Sequence, residues 1–357
     1  MTTVCYYVTG HGYGHAVRAS QVIAQMPATV RVIVRTVAPE HIFRSDAGRS
    51  FDYFPASFDC GCLQLDSVNV RRRDTLNEYA RIAEANAKGL SEEIAFLKRE
   101  RVDIVVSDIP SFPLHAAKQA GIPGFAVTNF TWYDIYQEYV ETPDDQALLD
   151  RIGAEYGCAT AGLITPFETP FTRGLFSRVV DIPIIARRGR KRTRELKQAL
   201  GLVPETPLAF VYFGIWGLDL DWAALADASP WVFLVRDDPP GRPANVIPLE
   251  NLGWSYSDLA ASADVVVAKT GYGTVTQCIA DNVPLVYIPR ADFCEHEAIA
   301  AALEPWKGAV ALSSQDFVRG NWKPALDAAL AATPDSGLFP VNGAEIAAKM
   351  ILDGLDE

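Results

Sequence analysis

The sequence predicts an α/β protein built from two doubly wound bodies. Three observations point there. Short β-branched or aromatic runs alternate with helix-like stretches, the pattern of parallel strands joined by crossover helices. The alternation starts at Val4, closes near Thr165 and restarts at Leu208. The 357 residues suit two or three domains of about 100–200 residues each.

Each element has its own signal. Val4–Val8 reads as a strand and His15–Gln25 as a helix. Val30–Arg35 and Phe51–Phe54 read as the next two strands. Asp74–Arg99 has the length and the Ala, Glu, Leu and Lys content of a long helix. Strands Asp103–Ser107 and Gly124–Val127 flank a helix at Leu114–Gln119, and Ala161–Thr165 closes the first half. The second half reads as strands Leu208–Phe213, Trp231–Val235, Asn245–Ile247, Asp264–Ala268 and Pro284–Ile288. Helices Ser255–Ser262, Thr274–Ala280 and Glu295–Leu303 lie between or after them. Only the architecture repeats; no internal sequence repeat is visible. We place the domains at 1–175 and 176–341, within a boundary region holding Pro166, Pro170 and Pro183. The C-terminal helix in 342–357 is left open between the bodies, with packing across to the first as one option.

Composition narrows the function classes. Hydrophobic residues at 49% and charged residues at 21% fit a soluble globular protein. With 32 Lys and Arg against 44 Asp and Glu, the net charge of −12 argues against general nucleic-acid binding. It leaves room for a local pocket that accepts an anionic small molecule. No apolar run approaches the roughly 20 residues of a membrane span. Met1–Thr9 lacks the basic start of a secretory signal. Of the six cysteines only Cys60 and Cys62 are close, and their Cys-Gly-Cys spacing is not a usual zinc pattern. The expectation is a cytoplasmic protein with free thiols and no metal site.

Arg187, Arg188, Arg190, Lys191, Arg192 and Arg194 form a charge run. It reads either as a solvated connector or as a peripheral contact of residues 187–194 with phosphate or anionic lipid.

The first strand runs into Gly10-His11-Gly12-Tyr13-Gly14-His15-Ala16-Val17-Arg18. Alternate glycines at a strand-to-helix turn let a ligand approach the backbone and leave N–H groups free at a positive helix end. The loop lacks the Gly-Lys-Ser/Thr of a Walker A motif. His15 stands where the dinucleotide fingerprint has its third glycine. Neutral imidazole is a suitable base near neutral pH, which makes His15 the candidate base. Arg18 lies three residues on, along the same helical face. It reads as an anion contact or as a surface ion pair. His11 reads as loop structure or as a ligand contact.

Several stretches in order resemble the GT-B glycosyltransferase superfamily, and more closely the glycosyltransferase-like half of arabinokinase-type proteins. They are Val8–His15, Val105–Asp108, Thr128–Trp132, Lys269–Val275 and Phe293–Glu297. The resemblance implies two Rossmann-like domains facing an interdomain cleft. It implies an acceptor side in the first domain and a nucleotide-sugar donor side in the second. The sugar-kinase half of those fusions has no counterpart in these residues, so sugar phosphorylation is not expected. The first loop also resembles that of lipid-linked N-acetylglucosaminyltransferases. Its Gly12, Gly14, His15 and Arg18 match the Gly-x-Gly-His-x-x-Arg of nucleotide-sugar hydrolases. Under each likeness His15 is implied as the base, acting on a hydroxyl or on water.

On the donor side, Lys269-Thr270-Gly271-Tyr272-Gly273-Thr274 follows a strand and opens a helix, a setting suited to a diphosphate. The resemblance assigns the donor pyrophosphate to this segment. It assigns ribose or sugar hydroxyls to the acid-rich start of the last motif, where Glu295 ranks first, His296 second and Glu297 third. Gly253 and Trp254 match the place where the base is met, and Gly214 stands in the loop after the first strand of this half. Gly12, Gly14 and Arg18 are assigned to the loop and the diphosphate. On the acceptor side, Asp108 ends a strand where open α/β sheets place ligands, to assist His15 or bind a hydroxyl. His11, Asn129, Trp132 and Tyr133 complete the acceptor set, with the aromatic faces suited to sugar rings.

The resulting expectation is a metal-independent, inverting glycosyltransferase that uses a nucleotide diphosphate sugar as co-substrate and needs no cofactor. The alternatives are a nucleotide-sugar hydrolase using the same histidine, and a silent nucleotide-sugar sensor. Donor sugar, base, acceptor and oligomeric state are not readable from the residues.

Overall fold

The computed structural model describes residues 1–64, 70–213, 220–249, 253–289 and 294–354. The chain forms two compact units. Unit 1 holds Met1–Ile185, Asp292–Ala298 and Pro340–Glu357; unit 2 holds Ala186–Ala291 and Ile299–Phe339.

Unit 1 opens with β1 (Thr3–Val8), α1 (Tyr13–Gln25), β2 (Arg31–Arg35), α2 (Glu40–Asp46) and β3 (Asp52–Phe54). It continues with α3 (Arg72–Arg99), β4 (Ile104–Asp108), α4 (Phe112–Ala120), β5 (Gly124–Thr128) and α5 (Trp132–Gln137). It then adds α6 (Pro143–Tyr156), β6 (Ala161–Ile164) and β7 (Val179–Asp181). Among the described residues the sheet order is β3-β2-β1-β4-β5-β6-β7, and every pair is parallel. Both faces are covered. On one, Val4, Tyr6, Val8, Val32, Val34 and Val106 pack with Ala16, Ala19, Val22 and Ile23 of α1. On the other, Cys5, Tyr7, Ile33 and Val105 pack with Phe96 and Leu97 of α3. Burial on two sides is why these strands read as unbroken apolar runs.

Unit 2 holds α7 (Thr193–Ala199), β8 (Leu208–Tyr212), β9 (Val232–Val235), β10 (Val246–Pro248), α8 (Tyr256–Ser262), β11 (Val265–Lys269), α9 (Tyr272–Asp281) and β12 (Leu285–Ile288). Next comes α10 (Glu295–Trp306), whose first residues are counted with unit 1. β13 (Ala309–Ala311), α11 (Ser314–Val318) and α12 (Lys323–Leu330) follow. The parallel order is β10-β9-β8-β11-β12-β13. The last helix, α13 (Gly343–Asp353), returns to unit 1 and lays Ala347, Ala348 and Ile351 into the core beside α1. Gly343 sits against the backbone of Pro183 and Ile184, where a side chain has no room.

The sequence pattern does not reveal the helices α2, α5, α6, α11 and α12 or the edge strands β7 and β13. The two strands are three residues long, too short for a period of two to stand out. The charge run is also more ordered than a solvated connector. Gly189 N donates to Asp281 (3.0 Å), Arg190 N to Asp258 (2.8 Å) and Arg192 N to Ser262 (2.8 Å). Its backbone is strapped to α8 and the end of α9, while Arg188, Arg190, Lys191 and Arg194 are exposed. Among the described residues, no helix is long and apolar enough to cross a membrane.

Candidate active site

Open parallel sheets bind ligands beyond the C-terminal strand ends, where the strand order reverses. In unit 1 that point lies between β1 and β4, and Val8 is in register with Asp108. The glycine loop and Asp108 are therefore neighbours although about 95 residues separate them. Gly12 caps α1 with φ 78° and ψ 158°, a conformation that is essentially glycine's own. Neither a side-chain cap nor an acidic residue occupies the first turn of α1. Gly14 is exposed there, and a side chain added to it would meet nothing within 4 Å.

His15 and Arg18 both turn toward Asp108. The His15 Nδ1 lies 2.9 Å from Asp108 Oδ1. An ionised carboxylate only accepts, so Nδ1 carries the proton and Nε2 the lone pair. Among the described residues Nε2 has no hydrogen-bond partner, and the side chain keeps 14% of its surface exposed. Arg18 donates Nε to Asp108 Oδ2 (2.7 Å) and Nη2 to Oδ1 (2.6 Å). Its Nη1 donates to Asn129 Oδ1 at 2.6 Å. Asn129 in turn donates Nδ2 to Glu295 Oε1 at 2.9 Å. Burial alone would raise the Asp108 carboxyl, but Arg18 and His15 hold it below the usual carboxylate range. These contacts bring five of the expected residues into one chain of hydrogen bonds: His15, Asp108, Arg18, Asn129 and Glu295.

The roles of three expected contacts change. Arg18 was expected at the diphosphate or in a surface pair, but it is buried and occupied by Asp108 and Asn129. Trp132 was expected to offer a face to a sugar. It is fully buried, stacked on Tyr136 at 5.4 Å, and its Nε1 donates to Asp59 at 2.8 Å. Asn129 is buried as well, so it orients neighbours rather than lining an open acceptor surface. Tyr133 is half-buried, edge-on to Phe171. His11 is half-buried too. Its ring lies edge-on to Trp132 and accepts from Cys62 N at 3.3 Å. The imidazole fills the space beside Gly61 that a side chain would need. The glycine between the two cysteines thus serves this packing. None of the six cysteines is in a disulfide, and burial pushes the Cys60 thiol up to about 12.

Asp59 was not expected. Its two oxygens accept from Thr9 Oγ1 (2.9 Å) and Trp132 Nε1 (2.8 Å). Burial raises its carboxyl against those two bonds, and it interacts electrostatically with His15 and Asp108. Ile109, next to Asp108, has φ 87°, an outlier for a β-branched residue. It is held there by burial and by Tyr156 Oη donating to its carbonyl at 2.6 Å. Such strain tends to cluster at functional sites.

In unit 2 the order reverses between β8 and β11. Lys269 ends β11, Thr270 is buried, and Gly271 caps α9 at φ −112°. As in α1, there is no side-chain cap and no acid in the first turn. Gly273 and Thr274 lie half-buried in that turn. Gly253 is exposed at φ 65°, and the Arg192 guanidinium covers the Trp254 ring at 3.8 Å. Glu295 is buried; Oε1 takes the Asn129 bond, and Oε2 accepts none among the described residues. His296 is half-buried at the start of α10. Gly214 lies outside the described residues. No group of three His, Cys, Asp or Glu side chains among the described residues is placed to hold a metal ion.

Comparison with known proteins bears on this geometry. Residues 2–158 match the model of glycosyl transferase family 1. The chain is 31% identical to L-arabinokinase of Arabidopsis thaliana, over 97% of its own length. It spans about a third (34%) of that relative's length. Among solved structures it is similar to the glycotransferase of kitacinnamycin, with TM-score 0.67, 16% identity and 99% of each chain covered. It is similar too to a UDP-glucosyltransferase from Polygonum tinctorium, with TM-score 0.66 and 14% identity over 99% of this chain and 92% of that one. The chain thus shares the GT-B fold of these structures, and its first part matches the family model.

Proposed function

We propose that this chain transfers a sugar from a nucleotide sugar to a hydroxyl-bearing acceptor, with inversion at the anomeric carbon and without a required metal. The observation that carries this reading is His15. Its Nδ1 is held by Asp108, and among the described residues its Nε2 has no partner, at the end of a helix that no acid caps. Nε2 takes the proton of the acceptor hydroxyl as that oxygen attacks the anomeric carbon. The bond from that carbon to the diphosphate oxygen breaks on the opposite side, which inverts the centre. The diphosphate is assigned to the open N-terminus of α9, where Gly271, Gly273, Thr274 and Lys269 offer N–H, hydroxyl and ammonium donors. Glu295 Oε2 is assigned to a sugar or ribose hydroxyl. Unit 1 takes the acceptor and, through Glu295, a donor hydroxyl, while unit 2 takes the diphosphate; cysteines outside any disulfide fit a cytoplasmic setting.

The test is incubation of the full chain with a panel of nucleotide sugars, alone and with hydroxyl-bearing acceptors. Turnover that depends on an acceptor supports transfer. Rapid, complete cleavage with water alone replaces transfer by hydrolysis, and binding without turnover points to a sensor.

A further inference from the structure

The catalytic reading leaves one charge without a task. Arg18 is a buried guanidinium that donates to both oxygens of Asp108. Its Nη2 also comes within 3.3 Å of His15 Nδ1. Both nitrogens carry protons, so this approach is not an attractive bond; it sets a fixed positive charge against the imidazole. An unopposed buried aspartate would favour imidazolium strongly, because opposite charge within about 4–6 Å stabilises the charged form. A histidine already protonated at neutral pH cannot accept a proton. Arg18 cancels that pull while leaving the Nδ1 hydrogen bond that aims the ring.

We propose that Arg18 is a positioning residue that keeps His15 neutral and oriented for proton removal; the proposal rests on His15 being the base. Four elements supply the charged groups around the imidazole, two of them in contact with it. Arg18 comes from α1, Asp108 from β4 and Asp59 from the segment after β3. Glu295, at the start of α10, is coupled through Asn129. The Phe130 ring, edge-on at 5.6 Å, shields one side without adding charge. Arg18 joins Asp108 to Asn129 and hence to Glu295. The guanidinium therefore fixes the proposed base and the proposed hydroxyl acceptor in one array.

Only five histidines are present, so His15 is readable by NMR titration of the full chain, with His15→Gln to assign it. In Arg18→Gln the titration midpoint of His15 moves up by about 1–3 pH units. The acid limb of kcat/KM moves up with it, since the base works only above its midpoint. Arg18→Lys keeps the charge and holds the midpoint near that of the parent. Asp108→Asn moves it down, and the double variant Arg18→Gln/Asp108→Asn, which leaves neither buried charge alone, returns it toward the parent. A merely structural Arg18 would lower the whole rate profile without moving it. If Arg18→Gln does not fold, the two variants carrying Asp108→Asn decide: equal midpoints overturn the proposal. An unmoved midpoint in folded Arg18→Gln also overturns it. The titration stands apart from turnover. A shifted midpoint with no transfer sinks the catalytic reading, and normal transfer with an unmoved midpoint sinks only the role of Arg18.

Discussion

The starts of α1 and α9 differ from those of α5, α6, α8 and α11. The latter four begin on Thr131, Thr142, Ser255 and Ser313. Each of these side chains accepts from an N–H in the first turn, and each turn carries an aspartate. α1 and α9 begin on Gly12 and Gly271, with no side-chain cap and no acid. A cap satisfies N–H groups, and an acid answers the positive end of the helix. α4 and α12 lack both as well, but only α1 and α9 of these four begin on a glycine, which lets a ligand approach the backbone. The two open helices also differ from each other. α1 carries a base and its buried supports, whereas α9 carries a glycine and threonine turn after a lysine. Under the proposed function, the contrast fits proton removal at one and anion capture at the other.

Breaking the first half of this contrast gives the largest effect. His15→Ala lowers kcat/KM by roughly 100- to 10,000-fold, the range for loss of a general base. Nucleoside diphosphate affinity by calorimetry stays near that of the parent. Near-normal turnover in a folded variant removes His15 as base. Thr274→Asp closes the other helix. An acid in the first turn stabilises α9 by about 0.3–1 kcal/mol. The same acid weakens nucleoside diphosphate binding about 100-fold, because like charges at a binding site cost on the order of several kcal/mol. Melting and calorimetry must therefore move in opposite directions.

The two capping glycines sharpen the contrast further. Gly12→Ala costs about 1–3 kcal/mol of stability by denaturant unfolding, because its backbone lies where side chains strain. Gly271→Ala has an ordinary φ and open space around it, so stability changes by less than about 0.5 kcal/mol. A large stability loss there would show that Gly271 serves the fold. The smallest effect is expected at a closed helix. The Arg73 guanidinium and the Thr142 hydroxyl hold the Asp145 carboxyl far below its usual range. Its contribution to stability is present above the unfolded value near 3.9 and fades as pH falls toward the folded one. Asp145→Asn costs about 1 kcal/mol at neutral pH. The gap from the parent narrows below about pH 4, with turnover unaffected.

The alternation of strands and helices was legible because central strands buried on both faces concentrate β-branched residues. His15 and Asp108 were legible as candidates, one from an unusual loop and the other from its place at a strand end. The task of Arg18 was not. It depends on β1 lying beside β4, a pairing that no local pattern reports. Trp132 shows the same limit. An aromatic residue after a strand serves equally as a platform or as core, and Asp59, from a stretch without periodicity, decides between them. A buried carboxylate two residues before Gly61 leaves no trace in spacing.

The return of α13 has a consequence for the order of synthesis. Most of unit 1 precedes unit 2 in the chain, yet its core stays open beside α1 until Ala347, Ala348 and Ile351 arrive. At about 5–20 residues per second, the stretch between Ile185 and Pro340 takes roughly 8–30 s to make. For that interval the nascent sheet shows an apolar flank beside α1, and unit 2 has time to fold first. The sheet of unit 1, made before unit 2, is thus completed after it.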